Sequence, residues 1–255
     1  MTLLQVSNLS VDFFTTRQIV HAVRDVSFAV KAGEILGVAG LMGAGRTEVA
    51  RLIFGADKAD AGEILLGGKR VEIGAPQDAV RHGIGYLSED RKALGLATGL
   101  DVRNNIALAS IPRFSKLFGL LDEQAMHAAA NEYIEKLAIK TPSDRQPARL
   151  LSGGNQQKIV IAKWLLRDCK VLIFDEPTRG IDIGTKQQIY KFIAGLAAEG
   201  RSIIVVSSEM PELIGLCDRI LVMRTGHIVG EVAGDHMNEN EIVVLATGVQ
   251  AGEAA

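Results

Sequence analysis

The chain has 255 residues, 47% of them hydrophobic, enough to bury a core of its own, and its formal net charge of −2 gives no basic excess of the kind that holds a phosphate backbone. Charge therefore does not point to nucleic acid as a main partner. Cys169 and Cys217 lie far apart without a metal-ligand spacing, the longest apolar runs are strand-sized, and MTLLQVSNLS lacks a basic region ahead of an apolar one. The sequence therefore predicts reduced thiols, no metal cage, no membrane span and no export signal.

In chain order, LLQVSNLSVDFF and AVRDVSFAV alternate as short β-rich runs, and GEILGVAG reads as a buried strand ending in glycine. A helix is expected to start near Arg46, with Val49, Leu52 and Ile53 on its buried side. GEILLGGKRVEI follows as a hairpin turning at Gly67 and Gly68. From about residue 100 to 166 strand signals vanish. The clearest helix there is DEQAMHAAANEYIEKLAI, in which Met126, Ala130, Tyr133 and Leu137 recur at helical spacing, so an inserted helical lobe is predicted. Strand VLIFDE, helix GTKQQIYKFIAGLAAEG, strand SIIVVSSE, a short helix and strand RILVMRTGHIVGEV complete an alternation that implies a parallel sheet flanked by helices. Residues 1–247 are expected to form a single domain, and 248–255, with almost nothing to bury, a disordered tail.

Three segments carry chemistry. GLMGAGRTE (Gly40, Leu41, Met42, Gly43, Ala44, Gly45, Arg46, Thr47, Glu48) fits a strand-to-helix phosphate loop except that Arg46 stands where lysine belongs. A glycine-rich turn with no ligand is the plain alternative. Arginine keeps the charge, but its planar fork is longer than an ammonium and need not reach the same point. VLIFDEP puts Asp175 and Glu176 at the end of a buried strand, where an α/β sheet opens its ligand crevice. Asp175 can hold Mg²⁺ and Glu176 can polarise a water, although an isolated pair there could simply begin a turn at Pro177. In LLSGGNQQK, Ser152 can cap a helix whose positive end Gly153 and Gly154 leave bare, an ordinary cap or a ready anion site.

The ordered set resembles the nucleotide-binding domain of ATP-binding cassette (ABC) transporters over nearly all of the chain. GLMGAGRTE, GIGYLSEDRK, LSGGNQQK, DEPTRGID and VSSEMPE together look like the C-terminal cassette of the tandem ATPases of bacterial ribose, galactose and xylose importers. The opening segment, with Phe13 where an aromatic would stack on adenine, looks more like peptide-importer cassettes. The tandem sugar-importer ATPases normally join two cassettes in one polypeptide, and this sequence carries one.

The resemblance implies an α/β phosphate-loop ATPase with a mostly parallel sheet, an N-terminal antiparallel β subdomain and the helical lobe. It implies ATP and Mg²⁺ as cofactors. Residues 40–48 would cradle phosphates, Thr47 and Asp175 would hold the metal, and Glu176 would be the base. Ser152, Gly153, Gly154 and Asn155 would cap ATP on an opposite cassette, and Asp182 would communicate across that dimer. Three positions depart from the family pattern: Arg46, Glu89 in place of a glutamine that joins the metal site to the permease, and Ser208 in place of a histidine at the γ-phosphate. The expected partners are a second cassette, transmembrane permease subunits and, indirectly, a periplasmic sugar-binding protein, with the chain on the cytoplasmic face of the cell membrane. A non-hydrolysing module that lends its signature segment to a competent partner is a different class of function, and the three departures favour it. A soluble cassette acting on DNA or ribosomes is a third, without a basic arm or coiled coil to support it.

Overall fold

The structure, a computed structural model, describes residues 1–16 and 18–249. They divide into two compact units: Met1–Tyr86 with Lys170–Glu176 and the chain from Tyr190 onward, and Leu87–Cys169 with Pro177–Ile189. Residues 250–255, most of the expected disordered tail, lie outside the described residues. Gly248, at φ +76°, closes the last helix.

In the first unit, strands β1 (Thr2–Phe14) and β2 (Ile19–Lys31) pair antiparallel. Their alternation buries Leu4, Val6, Leu9 and Val11 from one strand and Val23, Val26 and Val30 from the other. The buried strand β3 (Ile35–Gly40) leads through the glycine loop into helix α1 (Arg46–Phe54). The hairpin of β4 (Ala61–Leu66) and β5 (Lys69–Val71) turns at Gly67 and Gly68, both with positive φ, the geometry that suits a tight right-twisted hairpin. Helix α2 (Pro76–Arg81) and strand β6 (Ile84–Leu87) follow.

The second unit is helical: α3 (Val102–Ala107), α4 (Ile111–Phe114), α5 (Glu123–Lys136) and α6 (Gly153–Leu166). On α5, Met126 and Ala130 are buried, while Tyr133 is only partly covered. Helix α6 is apolar almost all round from Ile159 to Leu166 and buried accordingly, the pattern of a helix at the centre of its unit. This helical unit starts at Leu87, ahead of the expected boundary, and takes in residues 177–189 as well.

The chain then returns through β7 (Val171–Asp175), α7 (Ile183–Ala198), β8 (Ser202–Val206), α8 (Met210–Leu216), β9 (Arg219–Arg224), β10 (His227–Ala233) and α9 (Glu239–Thr247). The sequence RILVMRTGHIVGEV, expected as one strand, is the antiparallel hairpin β9–β10, because Thr225 and Gly226 both take positive φ and reverse the chain. Two sheets result, a four-stranded one in the order β2-β1-β4-β5 and a six-stranded one in the order β10-β9-β3-β8-β7-β6. Strands β3, β7, β8 and β9 run parallel, and every residue of β7 and β8 is buried, as a strand covered on both faces requires. Asp175 and Val38 both stand opposite Val206. The carboxyl ends of β3, β8 and β7 are therefore neighbours, and the segments leaving them meet. Among the described residues no helix is long and apolar enough to cross a membrane.

Candidate functional site

The glycine loop leaves β3 at the carboxyl edge of the six-stranded sheet, where α/β folds bind their ligands. Gly45, at φ +98°, immediately precedes α1, and a Cβ there would lie 2.4 Å from the carbonyl oxygen of Ala22 on β2, so no side chain fits. The Gly226 amide donates to the Ala44 carbonyl at 3.0 Å, which fastens the loop to the turn between β9 and β10. Leu41 and Met42 form the exposed tip, Ala44 is buried, and a Cβ at Gly43 would meet nothing within 4 Å. Glu48 sits in the first turn of α1, whose positive end favours an acidic side chain.

Thr47 and Asp175 face one another. The Thr47 hydroxyl donates to Oδ1 of Asp175 at 3.2 Å, and the Tyr86 hydroxyl donates to Oδ2 at 2.8 Å. Asp175 is wholly buried, and burial pushes its carboxyl up to about 6 against the opposing pull of those two bonds. A buried carboxylate beside a hydroxyl, with oxygen as the only donor type, suits a hard cation such as Mg²⁺.

Glu176 follows at φ +49°, a left-handed conformation that costs an ordinary residue roughly 1–2 kcal/mol. Its amide donates to the Val206 carbonyl at 2.8 Å. Burial raises its carboxyl above the usual range, opposed by a hydrogen bond from Ser208, whose Oγ donates to Oε2 at 3.1 Å. The Arg46 guanidinium is turned to the end of β8. It donates to the Ser207 carbonyl at 2.5 Å and reaches to 3.9 Å from Oε1 of Glu176. Ser208, expected at the position of a γ-phosphate contact, is thus engaged with Glu176. Phe13 is half-buried opposite Val20 in the β1–β2 hairpin.

The second unit holds the remaining candidates. Ser152 stands at the cap position of α6 but does not cap it; its Oγ accepts from the Asn155 side chain at 2.9 Å. Asn155 in turn accepts from the Lys140 amide at 2.8 Å. Gly154 is packed so closely that a Cβ would lie 2.6 Å from the Thr185 methyl, and a Cβ on Gly153 would meet the Arg91 guanidinium. Glu89 is paired with Arg179, and the same Arg179 gives its carbonyl to Arg91 at 3.1 Å. Asp182 accepts from the amide and the hydroxyl of Thr185, at 2.9 and 2.8 Å, which holds its carboxyl below the usual range at the start of α7.

Within the first unit the structure therefore gathers residues 40–48, Asp175, Glu176 and Ser208. Within the second it gathers Glu89, Ser152, Gly153, Gly154, Asn155 and Asp182. Sequence reasoning missed Tyr86, Ser207, Arg91 and Arg179. A tyrosine inside the apolar strand GIGYL was a usable signal, since a buried phenol needs a partner. The backbone carbonyl of Ser207 left no signal at all.

A family model described as ABC transporter matches residues 23–179. The chain is 61% identical over 227 residues to a putative ribose/galactose/methyl galactoside import ATP-binding protein of Burkholderia lata, covering 89% of this chain and 44% of that protein. It is 53% identical to a ribose import ATP-binding protein of Rubrobacter xylanophilus, covering 89% and 46%, and 53% identical to a xylose import ATP-binding protein of Thermoanaerobacter pseudethanolicus, covering 89% and 45%. The chain thus spans less than half the length of the curated relatives it matches. In fold it is similar to a nucleotide-free ATP-binding cassette from an ABC transporter, with TM-score 0.80, 24% identity and coverage of 95% of this chain and 96% of the other. A dimeric cassette in a post-hydrolysis state with ADP and Pi matches with TM-score 0.78, 20% identity and coverage of 91% and 98%. All three relatives bear the names of import ATP-binding proteins and lend no support to a non-hydrolysing module.

Proposed function

The chain belongs to the ABC transporter family, and on that premise we propose that it is the ATP-binding and ATP-hydrolysing cassette of an importer for sugars of the ribose, galactose and xylose class. It pairs with a second cassette and docks on transmembrane permease subunits at the cytoplasmic face of the membrane, with a periplasmic sugar-binding protein acting through the permease. The sugar class comes from the names of relatives at 53–61% identity.

Residues 40–48 wrap backbone N–H groups around the phosphates, and Phe13 stacks on adenine. The Thr47 hydroxyl and the Asp175 carboxylate would hold Mg²⁺, which supplies charge neutralisation to the β- and γ-oxygens. Glu176 accepts a proton from the water that attacks the γ-phosphorus, and ADP with phosphate leaves. Ser208 and the left-handed turn at Glu176 fix where that carboxylate stands, so its share of the rate comes from position and charge. Ser152, Gly153, Gly154 and Asn155 present the N-terminus of α6 to ATP on the partner cassette, beside Asp182. Glu89 stands where the family pattern has a glutamine that joins the metal site to the permease.

The observation that carries this reading is the bond between Thr47 and Asp175, with Glu176 one residue on. Equilibrium titration with a fluorescent ATP analogue tests it. Thr47→Ala is expected to weaken binding at least about tenfold in Mg²⁺, equivalent to about 1.4 kcal/mol, and to leave binding in EDTA unchanged. Equal affinities for the variant and the wild type in Mg²⁺ would place the site elsewhere.

A further inference from the structure

Arg46 occupies the position from which a P-loop side chain normally reaches phosphate, yet three observations turn it another way. Its stem folds back over the start of the loop, so that a Cβ on Gly40 would come 3.4 Å from Arg46 Cδ. Its Nη1 donates at 2.5 Å to the Ser207 carbonyl at the end of β8. Its Nη2 faces Oε1 of Glu176 at 3.9 Å, with only 12% of the arginine and 10% of the glutamate side chain exposed.

The anchor is itself fixed. The Ser207 hydroxyl bonds the buried Glu212 carboxylate and accepts from the Glu209 amide at 3.0 Å, which ties the residue to the start of α8. Ser208 donates to Oε2 of Glu176, and Arg46, anchored on the neighbouring Ser207 carbonyl, stands 3.9 Å from Oε1.

We infer that Arg46 is a positioning residue for the Glu176 carboxylate and not a ligand of the phosphates: with Nη1 bonded to the Ser207 carbonyl, its Nη2 stands 3.9 Å from Oε1 and holds the base by charge. The inference rests on the reading of Glu176 as the base. It has a physical reason in the length of the side chain. A lysine ammonium is a compact point charge, whereas a guanidinium offers two separated arms, and here one arm is spent on a neutral anchor so that the other can stand against a carboxylate. Arg46 and Ser208, two apparent departures from the family pattern, then form one arrangement in which each serves an oxygen of the same group.

The test compares wild type, Arg46→Met and Arg46→Lys, measuring the Kd of Mg²⁺-ATP by fluorescence titration and the saturating rate of phosphate release. Arg46→Met keeps the stem and removes the fork. It is expected to leave Kd within about twofold of wild type and to lower kcat at least about tenfold. Arg46→Lys is expected not to restore kcat, since one ammonium cannot hold the carbonyl and the carboxylate in the same geometry. A Kd weakened tenfold or more in Arg46→Met with kcat retained would make Arg46 a phosphate ligand and overturn the inference, as would full activity of Arg46→Lys. A wild type that binds ATP and releases no phosphate sinks the hydrolysis reading instead, and the ratio of the two Kd values then decides alone whether Arg46 serves the phosphates.

Discussion

Asp175 ends β7 beside the Thr47 hydroxyl. Fully buried and held by Thr47 and Tyr86, it has a carboxyl raised to about 6 by burial, well above the ordinary value near 3.9. A carboxyl whose folded pKa lies above its unfolded one favours folding when protonated and costs stability once ionised. The cost is absent below about pH 4, grows through the window to about 6 and is complete above it. Asp175→Asn is therefore expected to stabilise the nucleotide-free chain by on the order of 2 kcal/mol at neutral pH, and the gain should shrink as pH falls from about 6 towards 4. Denaturation midpoints of both proteins across that range check it, and a gain independent of pH would contradict the assignment. The sequence identified Asp175 and Glu176 from their place after an apolar run. It could not show that Glu176 takes a left-handed turn, or that Arg46 bends towards it, because both depend on which strand ends stand side by side.

At the scale of elements, the parallel strands were legible because burial on both faces leaves a continuous apolar run, as in VLIF and SIIVV. The β9–β10 hairpin was not, since its turn needs positive φ at a threonine, a residue that seldom supplies it. Nor was the extent of the helical unit, which depends on non-local contacts. Its internal order rests partly on a buried ion pair. Arg103 on α3 donates to Asp144 at 2.6 Å, each side chain 7% exposed, and His127 on α5 joins the same carboxylate at 2.8 Å. Burial works to raise the Asp144 carboxyl, but the bonds from Arg103 and His127 prevail and hold it below the usual range. Arg103→Met takes the guanidinium partner from the buried Asp144 carboxylate, leaving it His127, and is expected to cost about 3 kcal/mol in urea denaturation, whereas adding Asp144→Leu should recover most of that loss. A double variant as unstable as the single one would show that packing, not the lost charge partner, sets the cost. Gly154 teaches a related caution: with a Cβ position 2.6 Å from Thr185, any side chain there disturbs the packing of α6, so the exposed Ser152 is the cleaner place to probe the signature segment.

For the whole molecule, the ordered motifs carried the family and the fold in the sequence alone, because each marks a turn at the end of a strand or the start of a helix. What they left open was how a cassette works with its neighbours. If the N-terminus of α6 serves ATP held by a partner cassette, Ser152→Asp puts a negative charge where a phosphate would arrive. It is expected to lower phosphate release by the paired cassette at least about tenfold while leaving ATP affinity of this chain within about twofold, and equal effects on both would contradict it. On the proposed reading this chain turns over ATP with Glu176 as its base. The most direct measurement is steady-state phosphate release by the purified chain in saturating Mg²⁺-ATP, wild type against Glu176→Gln. A fall of at least about a hundredfold is expected, some 2.7 kcal/mol of barrier, with ATP affinity retained. A Glu176→Gln chain that releases phosphate as fast as the wild type would contradict it.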